Sequence, residues 1–258
     1  DPLRRGQVLM NLVNNAVKYT ESGEVTVSVK KVHQSGGKFT LKFSIRDTGI
    51  GMTDQQMSRL FQPFTQLNGT TSRKYGGTGL GLVIAKRLAE KMDGEIHVES
   101  SPSEGSLFTF TVPLEKVDAG DGFPPFLEKL YGLNVLLIEN RESSRKALSR
   151  NIEALGMNCH STGEGRKALG IIDRFGKNNT LDIVIADACL CREDTVELLK
   201  RLGADRRNTN VKYILLHDFN AAEKARDMTA HVRVDGFLSR PATPMPLVNT
   251  ILTVLGYR

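Results

Sequence analysis

The sequence predicts an α/β chain of two domains, an α/β sandwich followed by a doubly wound five-stranded parallel sheet. Three observations carry that expectation. Residues 118–125 read Asp-Ala-Gly-Asp-Gly-Phe-Pro-Pro, small and turn-forming residues that end any regular element. Before that break, helical and alternating segments come in blocks. After it, short apolar strands and helices alternate one by one. The expected division is a first domain over 1–117, a linker over 118–132 and a second domain over 133–258. A length of 258 residues accommodates two domains of ordinary size.

Composition narrows the class. Hydrophobic residues make up 40% and charged residues 25%, the balance of a globular chain rather than a disordered one. No apolar run approaches the ~20 residues that span a bilayer, and Asp1-Pro2-Leu3-Arg4 is no signal peptide. A soluble, cytoplasmic portion is expected, compatible with a parent protein anchored in a membrane by an upstream segment. The three cysteines, Cys159, Cys189 and Cys191, are an odd set without a second pair to complete a zinc site, and they suit a reducing compartment. The net charge of +6 is spread along the chain; it suits anionic ligands such as nucleotides and gives no specific sign of nucleic acid.

The first element is a helix over residues 3–19, with Leu9, Leu12, Val13, Ala16 and Val17 at the spacing of one buried stripe. Asn11, Asn15 and Lys18 are expected together on nearly the opposite side. An Asn amide oxygen can coordinate a hard cation and a Lys can meet phosphate oxygens; for three polar residues alone, a solvated helix face is the favoured reading.

Val25, Val27 and Val29 alternate, as do Phe39, Leu41, Phe43 and Ile45, with Ser35-Gly36-Gly37 between them. This reads as an antiparallel pair with one buried face. The second strand leads into Asp47-Thr48-Gly49-Ile50-Gly51. A carboxylate at a strand end can accept a hydrogen bond from an exocyclic amine such as that of adenine, and glycines let a flat ring approach the main chain.

Met52 to Tyr75 follows, containing Phe61-Gln62-Pro63-Phe64 and the polar run Gln66 to Lys74, a stretch with the character of a lid. Gly76-Gly77-Thr78-Gly79-Leu80-Gly81-Leu82 opens a helix with the apolar set Leu80, Ile84, Ala85, Leu88 and Met92, ended by Gly94. Glycines at a helix N-terminus expose unpaired N–H groups that suit phosphate, and Arg73 and Lys74 lie just upstream. The run lacks the G-K-[ST] ending of a Walker loop and does not directly follow a strand. Ile96 and Val98, then Phe108, Phe110 and Val112, alternate as two more strands joined through Gly105-Ser106.

Taken in order, these segments resemble the catalytic ATP-binding domain of sensor histidine kinases, the Bergerat fold shared with gyrase and MutL, from Asp1 to about Glu115. Asn11-Leu12-Val13-Asn14-Asn15-Ala16-Val17-Lys18-Tyr19-Thr20 is similar to the N box, Asp47 to Gly51 to the first Gly box, and Phe61 to Phe64 to the F box. Gly76 to Leu82 is similar to the second Gly box, and Gly105-Ser106 ends the pattern. The resemblance implies ATP and Mg²⁺ as ligands. Asn15 would hold Mg²⁺ bridging the phosphates, with Asn11, Lys18 and Tyr19 around it. Asp47 would read the adenine amine, flanked by Gly49 and Gly51, and Ser106 would support the base through water. The lid, with Arg73, Lys74, Gly77, Thr78, Gly79, Leu80, Gly81 and Leu82, would cover the triphosphate.

In the ATPase relatives a Glu one turn before the metal-binding Asn activates water; here that position is Asn11, which cannot serve as a general base at neutral pH. The resemblance therefore favours transfer to histidine over hydrolysis. The acceptor histidine of such kinases lies on a dimeric helical hairpin before the N box, where this sequence begins. His33, His97, His160, His217 and His231 all lie outside an H-E-x-R-x-P-like context. A dimeric parent carrying that hairpin is expected, with a downstream receiver or phosphotransfer protein as a further partner.

The second domain is expected as strand Val135–Ile138, helix Glu142–Leu155 stopped by Gly156, strand Met157–His160, a helix around Arg166–Ile172 and strand Ile183–Ala186. A helix near Asp194–Leu202, strand Tyr213–Leu216, a short helix from Ala221, strand Gly236–Leu238 and a last helix to Leu255 complete it. Any site should lie at the strand C-terminal ends. Leu133 to Gly256 resembles the receiver domain of response regulators, but the pattern is degenerate. Glu139-Asn140 stands where a pair of acids would hold Mg²⁺, Asp187 at the phosphoacceptor position, Cys191 at the following Pro, His217 at the hydroxyl position and Arg240-Pro241 at the Lys-Pro position. Mg²⁺ demands near-ideal octahedral geometry, so a lost carboxylate weakens the site.

The reading is thus an ATP-dependent protein-histidine kinase core of a hybrid sensor kinase with a regulatory pseudo-receiver. Alternatives are a receiver phosphorylated at Asp187 within a phosphorelay, a non-catalytic docking module controlled by nucleotide, and a Bergerat-type ATPase. A hydrogen bond between His217 and Asp187 is also conceivable at the strand ends.

Overall fold

Helix α1 (Pro2–Lys18) starts where the Asp1 carboxylate caps the backbone N–H groups of Leu3 and Arg4, with proline at its first position. Our computed structural model describes residues 1–35, 37–65, 79–115, 125–178, 180–188, 210–228 and 232–257. The chain divides into two units, Asp1–Ala119 and Gly120–Arg258.

In the first unit, β1 (Val25–Ser35), β2 (Lys38–Asp47), β3 (Glu95–Ser101) and β4 (Gly105–Glu115) form an antiparallel sheet in the order β1-β2-β4-β3. Helices α1 and α3 (Gly81–Glu90) pack on one face, and the short α2 (Asp54–Arg59) carries a capping box between Thr53 and Gln56. Val8, Leu12 and Ala16 of α1 meet Phe43, Ile45, Ala85, Ala89, Phe108 and Phe110 in one core, where the Phe43 and Phe110 rings stack 5.5 Å apart.

Several side chains differ from the sequence expectation. Val17 is exposed because the buried stripe of α1 runs through Val8, Leu12 and Ala16, with Leu9 and Val13 at its margins. Val27 and Val29 lie opposite Ile45 and Phe43 yet remain about half exposed: β1 is the edge strand, beyond the cover of the helices. In α3 the buried residues are Val83, Ala85 and Ala89, and Ile84 faces outward. The left-handed residue that ends this helix is Asp93 at φ 55°, not Gly94. Gly94 instead donates its N–H to Ala89 and lies so close to Thr111 that a Cβ would sit 2.1 Å from its carbonyl oxygen.

In the second unit, β5 (Asn134–Ile138), β6 (Asn158–Thr162), β7 (Ile183–Asp187), β8 (Lys212–Asp218) and β9 (Gly236–Arg240) form a parallel sheet in the order β6-β5-β7-β8-β9. Val135, Leu137, Ile183, Ile185, Ile214 and Leu216 pack on one face, and Leu136, Ile138, Val184, Ala186, Tyr213 and Leu215 on the other. That burial on both faces explains the unbroken apolar runs of these strands. Helices α5 (Glu142–Ala154), α6 (Gly165–Asn178), α7 (Ala222–Met228) and α8 (Pro244–Val254) supply the covering layers, and α4 (Pro125–Glu128) precedes the sheet. Strand β6 begins one residue later than expected and extends to Thr162. The order changes direction at β5, so the carboxyl ends of β5 and β7 frame a crevice.

Candidate functional site

The first site is built around Asp47, which ends β2 directly opposite Ser106 on β4. Asp47 is 4% exposed, and its Oδ1 accepts the N–H groups of Gly49 at 2.9 Å and Ser106 at 3.2 Å. Two fixed donors hold one carboxylate oxygen and so aim the group. The following turn is wedged between the end of α1 and the β3–β4 connection. A Cβ on Gly49 would lie 2.2 Å from the Tyr19 carbonyl oxygen, and one on Gly51, at φ 65°, 1.8 Å from that of Ser101. Only glycine fits either place.

Ser100 ties these pieces together, although nothing in the sequence marks it. Its Oγ accepts the Met52 N–H at 2.9 Å, donates to the Gly105 carbonyl at 2.8 Å and lies 3.0 Å from Ser106 Oγ. It thus couples the end of the Asp47–Gly51 turn to the strand that orients Asp47.

Asn11, Asn15 and Lys18 are half-buried on a flank of α1, not on its far side. The far side carries Leu3, Met10 and Val17, all exposed. The polar flank faces the start of α3, where the Asn11 amide donates to the Gly81 carbonyl at 3.1 Å. The Lys18 ammonium lies 5.0 Å from the centre of the Tyr19 ring. A Cβ on Gly79, at φ 67°, would sit 3.0 Å from the Thr65 carbonyl oxygen and crowd Phe64, Leu80 caps α3, and Leu82 packs at the core margin. Phe61 lies under Lys86 of the same helix, with the ammonium 5.0 Å from the ring centre. The structure therefore brings Asn11 to Gly81 at the start of α3, and Tyr19, Asp47, Gly49, Gly51 and Ser106 together at the C-terminal end of α1, whose last turn carries Asn15. Arg73, Lys74, Gly77 and Thr78 lie outside the described residues, as do Gly36, Gly76, Cys189, Cys191, His231, residues 118–124 of the linker and the helix expected near Asp194–Leu202.

The second site lies at the carboxyl ends of the parallel strands. Glu139 and Asp187 are fully buried, and Arg240 at the end of β9 is 9% exposed between them. Its guanidinium forks onto Asp187 Oδ1 through both terminal nitrogens, Nη1 at 3.1 Å. Its Nε lies 3.6 Å from Glu139 Oε2 and 3.5 Å from Asp218 Oδ1. Glu139 also accepts the Arg141 N–H at 3.0 Å and the Ser144 hydroxyl at 3.0 Å. Asp218 is held by Arg141 Nη2 at 3.1 Å. Burial pushes the Glu139 carboxyl up, the Asp187 charge adds to that, and the Arg141 N–H, Arg240 and Ser144 oppose it. At Asp218 burial also resists ionisation, but the Arg141 hydrogen bond and the charges of Arg240, Arg141 and His217 outweigh it and hold the carboxyl below its usual range.

His217 is buried beside this cluster with Nδ1 2.9 Å from the Asp218 carbonyl oxygen, and its ring meets Phe237 edge-on. That imidazole nitrogen thus meets the main chain, and Asp187 is clasped by Arg240. Asn140 is exposed. Asp218, Arg141 and Ser144 were not anticipated, since each arrives from a strand end or helix start without any periodic signal.

Comparison with known proteins agrees with this two-part architecture. Residues 1–116 match the family model described as Histidine kinase-, DNA gyrase B-, and HSP90-like ATPase, and residues 135–252 match the Response regulator receiver domain. The chain joins a domain of that ATPase type to a receiver domain. It is 45% identical over 160 residues to Sensor histidine kinase GacS of Pseudomonas protegens, covering 61% of this chain and 17% of that protein. It is 32% identical over 208 residues to Autoinducer 2 sensor kinase/phosphatase LuxQ of Vibrio vulnificus, covering 78% of this chain and 24% of that protein. Among solved structures, full-length ShkA in complex with AMPPNP aligns over 98% of this chain and 48% of its own, with a TM-score of 0.68 and 26% identity. The chain thus spans less than a quarter of the length of these two curated relatives.

The two sites have distinct demands. The first domain is an ATP-binding one, and its Asn11 amide, donating to Gly81, has no basic atom with which to take a proton from water. The receiver domain would be expected to hold Mg²⁺ in its acidic crevice, and the donors here do not fit that ion. Both Glu139 oxygens are engaged, Asp187 is clasped by a guanidinium, and Asn140 points to solvent. Among the described residues, no group of three or more His, Cys, Asp or Glu is arranged to hold a metal ion.

Proposed function

We propose that the first domain binds MgATP and delivers the γ-phosphoryl group to a histidine on a helical hairpin of the parent kinase, while the receiver-like domain regulates that reaction without accepting phosphate. In the transfer, an N–P bond forms to the histidine as the P–O bond to the β-phosphate breaks and ADP leaves. Asp47 accepts the adenine amine with the carboxylate oxygen not committed to Gly49 and Ser106. The Asn15 amide oxygen would hold the metal of MgATP, which neutralises charge on the transferred group. Lys18 and Tyr19 border the same end of α1, and Gly79 to Leu82 at the start of α3 would face the triphosphate.

The observation that carries the kinase reading is Asn11. It occupies the place from which an ATPase relative would activate water, and its amide is a donor held by Gly81. With no base beside the γ-phosphate, water is a poor acceptor and a presented imidazole is the better one. The test is to supply a helical hairpin from a related hybrid kinase to the chain with MgATP. Acid-labile phosphohistidine on the hairpin, with slow ADP release in its absence, supports the proposal. Rapid hydrolysis without any hairpin would make the first domain an ATPase.

The parent is expected to be a dimer, with a phosphotransfer protein or a further receiver as its next partner and the cytoplasm as its site of action. Among the described residues, no helix is long and apolar enough to cross a membrane.

A further inference from the structure

We propose that Arg240 is a tethered cation that takes the charge-balancing place of a divalent metal in the acidic crevice of the second sheet, so that this domain neither needs nor binds Mg²⁺. The inference rests on the pseudo-receiver reading and goes beyond it, because it assigns a cause: the crevice already holds a cation supplied by the chain itself.

Three carboxylates converge on one guanidinium. Asp187 takes the terminal nitrogens, and Glu139 and Asp218 flank Nε at 3.6 and 3.5 Å. An Arg keeps its charge in any protein environment, and its planar fork can serve several carboxylate oxygens at once. A Lys at the same place would present a single compact charge and leave room beside the acids. The buried carboxylates cannot stay ionised without a partner, and Arg240 supplies one from a strand rather than from solution.

The charge count points the same way. Glu139, Asp187 and Asp218 contribute three negative charges, and Arg240 and Arg141 contribute two positive ones. A third guanidinium, Arg145, donates to the Glu139 carbonyl at 2.7 Å, so a divalent ion would enter beside existing positive charge unless Arg240 left. Departure is obstructed because Arg240 is buried at the end of β9 and followed directly by Pro241. The oxygens a metal would need are also engaged elsewhere, Glu139 Oε1 with the Arg141 N–H and Oε2 with Ser144. A guanidinium in this place fixes the strand ends in one arrangement at every metal concentration, which suits a regulatory domain that reports something other than phosphate.

The experiment uses the 258-residue chain without nucleotide and Mn²⁺ as the probe, with bound ion counted by electron paramagnetic resonance and located by broadening of the β5 and β7 amide signals. Wild type should bind no ion in the crevice at millimolar Mn²⁺. Arg240→Lys and Arg240→Ala should both acquire a site there, with affinity raised on the order of a hundredfold for Ala, as expected when a contacting charge is removed. If Arg240→Ala does not fold, Arg240→Lys carries the comparison, since it keeps a charge but loses the fork. Binding of Mn²⁺ by wild type at Glu139 and Asp187 would overturn the inference. Folded variants that remain unable to bind Mn²⁺ would overturn it too, because the guanidinium would not be what excludes the ion. Acetyl phosphate with Mg²⁺, read by intact-mass spectrometry, separates this inference from the reading beneath it. Phosphate on wild-type Asp187 would sink both, whereas Mn²⁺ binding without phosphate would sink the tethered cation alone.

Discussion

Ser106 donates its backbone N–H to the Asp47 carboxylate across 3.2 Å, although 59 residues separate the two in sequence. The pairing follows from the β2–β4 register, in which they are direct partners. The carboxylate proposed to read adenine is therefore oriented by sheet backbone, and its aim depends on the β3–β4 connection as much as on its own turn.

Replacing Asp47 with Ala removes the acceptor proposed for the adenine amine. ATP binding should weaken by about 1.5–3 kcal/mol, the range for a hydrogen bond to a charged group. Titration calorimetry that shows unchanged affinity would remove Asp47 from the adenine contact.

Ser100→Ala should have a smaller effect of the same kind. It breaks the link from Met52 to Gly105 and Ser106 without touching the nucleotide. A loss of about 1 kcal/mol in ATP affinity is expected for one neutral hydrogen-bond network member. The combined Asp47→Ala, Ser100→Ala variant should lose less than the two single losses together, because Ser100 acts through Asp47. Full additivity would mean that Ser100 acts independently.

Asn15→Ala should leave nucleotide affinity insensitive to Mg²⁺. The amide oxygen on the α1 flank is the ligand assigned to the metal of MgATP, and α1 itself does not depend on it for its core. Calorimetry with and without Mg²⁺ checks this, and a persisting Mg²⁺ dependence would place the metal ligand elsewhere.

Glu139 gives the second domain a pH signature. Its carboxyl is pushed above the ordinary 4.5 by burial first, so the folded state holds that proton more tightly than the unfolded state. The associated stability is complete below the unfolded value and is lost as pH rises through the folded one. Wild type should therefore gain stability relative to Glu139→Gln as pH falls from neutral toward 4.5. Native-state amide exchange in β5, corrected for intrinsic rates, reads the difference; a gap that shrinks on acidification would contradict the assignment.

Much of this was legible in the sequence because the patterns are local. Strand alternation located β2 and β4, Gly156 marked the end of α5 with φ 82°, and the continuous apolar runs of β5, β7 and β8 announced a sheet covered on both faces. What the sequence hid depends on neighbours. Val27 and Val29 alternate like core residues, but an edge position leaves them half exposed. Asn11, Asn15 and Lys18 are half-buried rather than solvated, and Asn11 meets α3, because of how the two helices pack on the sheet. In the acidic crevice, Arg240 was visible as a substitution at a motif position. Its convergence with Asp218 and Arg141 arises from strand order and has no linear signature.

The most direct test of the central claim is to follow phosphate from MgATP in a mixture of the chain and a hairpin from a related hybrid kinase, using intact-mass spectrometry on both components. The account predicts one acid-labile phosphate on the hairpin histidine and none on Asp187, at any Mg²⁺ concentration. Phosphate arriving on Asp187 would contradict it and make the second domain a working relay despite Arg240; rapid ADP release with no phosphorylated hairpin would contradict the kinase half.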